Sequence, residues 1–156
     1  MIKVEETTPI YFSDKNLEKA VRARLNVSED TVILKEDVLQ IEILAADNMK
    51  IESIEGLQHF TNLKELYLHD NKIIDILPIE NLHKLVRLEL GNNDLEDINP
   101  LRNLVNLTRL AIGFSYKIRT VEPLVNLTQL RHLFLCSNLL TDINKVYKGF
   151  ICKSAK

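Results

Sequence analysis

Apolar residues recur along this chain at a fixed interval. Leu63, Leu66, Leu68 and Ile73 are followed 22 residues later by Leu85, Leu88, Leu90 and Leu95. A further 22 residues bring Leu107, Leu110 and Ile112, after which one extra residue near Ser115 and Tyr116 delays the next apolar position to Ile118. The pattern resumes at Leu130, Leu133, Leu135 and Leu140, and an eroded copy lies upstream at Ile41, Leu44, Ala46, Met49 and Ile51. Alternation over each Leu-x-Leu predicts a short strand with two leucines on one side. The second half of each unit also repeats, as Ile76, Pro78, Ile79, Leu82, then Ile98, Pro100, Leu101, Leu104, then Val121, Pro123, Leu124, Leu127. Proline fixes φ and donates no hydrogen bond, so these segments belong away from the strand ladder. Each unit is thus a closed coil, and a fixed period of this length is the mark of a solenoid. One coil cannot bury its own leucines; stacking about three or more does. Five coils are present.

The bends carry a second periodic signal. Asn71, Asn93 and Asn138 follow the strands at equivalent places. A side-chain amide turned inward there can satisfy backbone groups that the bend leaves unpaired, so these three are expected to form a ladder. Ahead of the coils, residues 11–25 read as a helix: Ser13 or Asp14 can cap it, and Leu17, Ala20, Val21 and Leu25 share one face. A second short helix is expected between Asp30 and Leu39. The organisation read from these signals is an N-terminal helical cap over 1–40, coils over 41–145, and an incomplete coil or tail over 146–156. In that tail Val146, Gly149, Cys152 and Ala155 keep a three-residue spacing with shrinking side chains. Two readings stand: the tail folds back as a cap, or the last edge stays open for self-association.

The cap phrase FSDKNLEKAVRARL, the entry ESIEGLQHFTNLKELYLHDNKIIDI and the coil LEDINPLRNLVNLTRL resemble the internalin-type bacterial leucine-rich-repeat proteins, which use 22-residue units. The likeness spans roughly residues 10 to 144. It implies an α/β leucine-rich-repeat horseshoe with short parallel strands on the concave face and irregular or 3-10 segments on the convex face. It also implies binding of partner proteins on the concave face and no catalytic residues in the repeat. The same 22-residue class resembles the repeat of an intracellular regulator of protein phosphatases, which implies a cytoplasmic scaffold as the alternative.

Residues beside the strand leucines face outward, so the expected partner face can be named. It comprises Glu65, Tyr67, His69 and Asp70; Arg87, Glu89, Gly91 and Asn92; Arg109, Ala111, Gly113 and Phe114; and His132, Phe134, Cys136 and Ser137. Aromatic and Arg side chains dominate binding energy when a partner covers them. Tyr67, Arg87, Arg109, Phe114 and Phe134 are therefore the expected anchors, with Phe114 and Phe134 forming an apolar patch. The alternative role is structural: an assembly segment, or a piece of a larger surface protein.

Composition narrows the function classes. The net charge is −2 and the pI about 6.1, which offers no excess of cations to displace counterions from a phosphate backbone. Nucleic acid is not an expected partner. No stretch approaches the roughly 20 apolar residues that span a bilayer. Two cysteines, Cys136 and Cys152, match neither a disulfide framework nor a zinc spacing. His59, His69, His83 and His132 fall on different coils, so neither a metal nor another cofactor is expected. Asp14, Asn16 and Glu18 alternate as in a calcium loop, but the required Gly and final Glu are missing. The glycosylation-like triplets at Asn106 and Asn126 arise from the repeat itself. No nucleophile, acid–base pair or phosphate loop emerges, so catalysis is not expected. The opening residues lack a secretory signal, which points to the cytoplasm; the cell surface is the alternative if the chain is part of a longer protein.

Overall fold

The computed structural model describes residues 8–143, which form the expected solenoid. The tail positions Val146, Gly149, Cys152 and Ala155 lie outside the described residues. Five three-residue strands, β1 (Ile43–Ala45), β2 (Glu65–Tyr67), β3 (Arg87–Glu89), β4 (Arg109–Ala111) and β5 (His132–Phe134), make one parallel sheet in chain order. Register follows the repeat, with Leu44, Leu66, Leu88, Leu110 and Leu133 opposite one another. Leu66, Leu88 and Leu110 are fully buried. Burying each such leucine contributes about 2 kcal/mol, gained only when coils stack.

The opposite side is built from 3-10 turns at Leu57–His59, Leu77–Ile79, Asn99–Asn103 and Glu122–Leu124. The last three carry a proline as their second residue, where the first turn has no use for its missing N–H. Local acceptors start them: Asp75 accepts from Leu77 N–H (2.8 Å), Asp97 from Asn99 N–H (2.8 Å) and Thr120 from Glu122 N–H (3.1 Å). These turns need more room than strands about 4.8 Å apart, so the array bends towards the sheet and the strands line its concave side.

Inside the bends, the Asn71 amide oxygen accepts from Met49 and Ile51 N–H, both at 3.0 Å, while its nitrogen donates to the Ala46 and Leu68 carbonyls at 2.9 Å. Asn93 repeats this with Ile73 N–H and the Leu68 and Leu90 carbonyls, all at 2.9 Å. Asn138 donates to Ile112 and Leu135, but its amide oxygen meets no partner.

At the N-terminal end, α1 (Lys15–Leu25) lays Leu17, Ala20 and Val21 over the first coil. A shorter helix, α2 (Lys35–Val38), follows. Of the two expected caps, Asp14 takes the role, accepting from Asn16 (2.8 Å) and Leu17 (3.2 Å) N–H. Its other oxygen accepts from Glu52 N–H at 2.8 Å, which ties the helix start to the first coil. Ser13 instead bonds the Ser53 hydroxyl at 2.7 Å.

Candidate partner-binding face

The outward positions of the strands fall into columns. The first runs Ile43, Glu65, Arg87, Arg109, His132, and the second runs Ala45, Tyr67, Glu89, Ala111, Phe134. Residues at each bend adopt left-handed backbone: Asn48, Asp70, Asn92, Phe114 and Ser137, with φ between 54 and 60°.

Six of the expected residues join in one chain of contacts. Tyr67 donates its hydroxyl to Glu65. The Arg87 guanidinium lies over the Tyr67 ring, 4.9 Å from its centre, and bonds Glu89 at 2.7 Å. Arg109 reaches the same Glu89 oxygen at 2.9 Å and covers the Phe134 ring, again at 4.9 Å. A guanidinium over a ring is worth about 0.5–1 kcal/mol at exposed sites. Partial burial pushes the Glu89 carboxyl up, but hydrogen bonds from Arg109 and Arg87 outweigh it and hold the group below the ordinary range. Glu89 is therefore a fixed anion between two cations, and the Glu65 carboxylate also acts on Arg87. The Tyr67 hydroxyl is held protonated, first by its bond to Glu65 and then by desolvation. These contacts lock rotamers that a partner would otherwise have to order.

His132 is exposed beside Arg109 in the first column. His69 stands apart in an acidic group, with Nδ1 at 2.8 Å from Asp70 and Nε2 at 3.4 Å from Asp47. Partial burial is the main influence on Asp47 and raises its pKa against the pull of His69. Hydrogen bonds from Asn92 and His69 lower that of Asp70. The sheet is thus acidic towards β1 and β2, and basic with aromatics from β3 onward.

Phe114 and Phe134 form no ring pair among the described residues; Phe114 meets Tyr116 edge-on at 6.4 Å, while Arg109 occupies the Phe134 face. The Phe114 backbone has already turned at the bend, with φ 60°. One expectation needs correction, that for Cys136. Expected on the concave face, it is buried because the Gly113 backbone packs against it.

Tyr116, Ser115 and Asp47 were not among the candidates. The extra residue near Ser115 was the available signal for the first two; nothing local marks Asp47. Among the described residues no three His, Cys, Asp or Glu side chains could hold a metal, and no helix is long and apolar enough to cross a membrane. An apolar hollow of about 410 Å³ lies between α1 and β1, lined by Ala20, Ala23, Ile43 and Met49.

No family model matches the chain. Internalin C of Listeria monocytogenes serotype 1/2a (strain EGD / Mackaness) is 37% identical over 68 residues, covering 42% of this chain and 23% of that protein. The crystal structure of an internalin, InlF, from Listeria monocytogenes strain 4b F2365 superposes with a TM-score of 0.71 at 30% identity, covering 92% of this chain and 49% of that one. Internalin C2 of the same strain is alike in fold, with a TM-score of 0.53 at 23% identity over 97% of this chain and 99% of that one. The chain thus spans under half the length of Internalin C and of InlF. Leucine-rich-repeat proteins of this kind are in general protein–protein interaction modules, and internalins are generally non-enzymatic.

Proposed function

Because the chain is an internalin-like leucine-rich-repeat protein, we propose that its own work is to bind another protein on the concave face of the sheet, without catalysis. The observation that carries this is the linked row Tyr67, Arg87, Glu89, Arg109 and Phe134 across four adjacent strands. Aromatic and Arg side chains are the residue types that anchor interfaces, and here they are held in place yet remain partly exposed. An open sheet with side chains of both signs suits a macromolecule better than a small ligand, which needs enclosure.

Binders selected on the whole chain from a displayed random-peptide library test the reading. Tyr67→Ala and Phe134→Ala should each weaken the selected binders about tenfold, as expected for lost anchors. Leu77→Ala, an exposed change on the convex side, should not. Binders indifferent to both sheet changes would overturn the proposal.

A further inference from the structure

We propose that residues 114–116, where one coil departs from the repeat, form a specificity site for a bulky apolar side chain of the partner, and that the basic first column takes a carboxylate of the same extended segment. This rests on the reading of the sheet as the partner-binding face.

Three irregularities fall on three consecutive residues. At the left-handed bend position the other coils use Asn48, Asp70, Asn92 and Ser137, small polar residues that tolerate positive φ; here a phenylalanine holds φ 60°. The next position, filled by Asn71 and Asn93 in the preceding coils, is Ser115, whose buried hydroxyl has no partner. The third residue, Tyr116, also has positive φ, at 59°, as does Lys50 in the first coil, at 60°. In regular coils the residue at this place donates backwards: Lys72 N–H to Ile51 and Asp94 N–H to Ile73. Tyr116 N–H turns forward instead, to the Ser137 carbonyl at 3.0 Å. A positive φ at a phenylalanine and an unpartnered buried hydroxyl cost the coil stability. Their joint effect is to hold two aromatic rings edge to face in solvent, with Phe114 49% and Tyr116 62% exposed. Leu139 is 49% exposed on the following coil. Backbone outliers kept at a cost to the coil point to a binding role.

The opposite end of the same strands is cationic. Arg87 and Arg109 share the carboxylate of Glu89, the Glu65 carboxylate acts on Arg87 as well, and Arg131 and His132 form no ion pair with a described residue. Between the two ends the floor is low, formed by Gly91, Ala111 and Gly113. A Cβ at Gly113 would come within 3.1 Å of the Cys136 carbonyl, a tight approach; at Gly91 the nearest atom would be 3.5 Å away, and a side chain fits. From Arg109 to Gly113, just before the left-handed bend, is four residues, about 13 Å of extended chain. The matching ligand is an extended peptide with Asp or Glu about four residues from a bulky apolar residue.

The test is selection from a displayed random dodecapeptide library on the whole chain, followed by affinity measurement with Phe114→Asn and Gly91→Leu. Enriched sequences should pair an acidic residue with a bulky apolar one at that spacing. Both variants should bind them about tenfold or more weakly, the loss of one anchor, while unfolding no earlier in urea than the wild type. Enriched peptides lacking the pairing, or an unchanged affinity of Phe114→Asn, overturn the proposal. If those peptides are still lost in Tyr67→Ala, the binding face stands and only the specificity site falls. If no peptide is enriched, both fall.

Discussion

Replacing Asn93 with alanine should be among the most damaging single changes, although it removes only a small polar side chain. The amide is 4% exposed and makes three hydrogen bonds of 2.9 Å, to Ile73 N–H and to the Leu68 and Leu90 carbonyls. Alanine leaves the Ile73 N–H and the Leu90 carbonyl buried without that partner, while the Leu68 carbonyl keeps its bond from Asn71, and each orphan costs about 1–3 kcal/mol. The loss should therefore be about 4 kcal/mol. Ser115 occupies the equivalent place one coil later, but its hydroxyl bonds no described residue, so Ser115→Ala removes an unsatisfied group and should not lower stability. The assay is urea unfolding followed by far-ultraviolet circular dichroism. With a slope of about 2 kcal/mol/M, Asn93→Ala should lower the midpoint by about 2 M and Ser115→Ala should not lower it. Equal shifts for the two variants would refute the reasoning, because the effect would then be one of position and not of hydrogen bonding.

Other outcomes follow from the same contacts. Phe114→Asn should raise stability by about 1 kcal/mol, read as a higher urea midpoint, because asparagine adopts positive φ with less strain. Asp14→Asn should weaken the junction between cap and coils by about 1 kcal/mol at neutral pH. Burial pushes the Asp14 carboxyl up, but backbone hydrogen bonds from Glu52, Leu17, Asn16 and Ser53 together hold it below its ordinary value. A lowered folded pKa means its stabilisation is complete above the unfolded value and is lost as pH falls through the folded one. Melting temperatures of wild type and Asp14→Asn should therefore converge below about pH 4. A double-mutant cycle between Arg109→Ala and Phe134→Ala should give a coupling of about 0.5–1 kcal/mol in unfolding free energy.

The architecture was legible because a 22-residue offset carries register as well as strand position. Once Leu66, Leu88 and Leu110 are aligned, Glu65, Arg87 and Arg109 must be neighbours. Proline at 78, 100 and 123 likewise marked the convex turns, through a local restriction on φ. Contacts that depend on three-dimensional closure were not legible. Asp14 reads as a helix cap, but its bond to Glu52 joins residues 38 apart with no periodic relation. Phe114 reads as one more outward residue, because strand alternation says nothing about where the backbone turns. The expectation for Cys136 fails because alternation carried one step past β5 places it outward, where the close Gly113 backbone leaves no solvent.

The central claim is that the sheet is the recognition surface, and backbone amide spectra of the isotope-labelled chain test it most directly when a selected peptide is added to saturation. The account predicts that the resonances that shift cluster at Glu65–Tyr67, Arg87–Glu89, Arg109–Ala111 and His132–Phe134. Shifts confined to the 3-10 turns at Leu77–Ile79, Asn99–Asn103 and Glu122–Leu124 would contradict it.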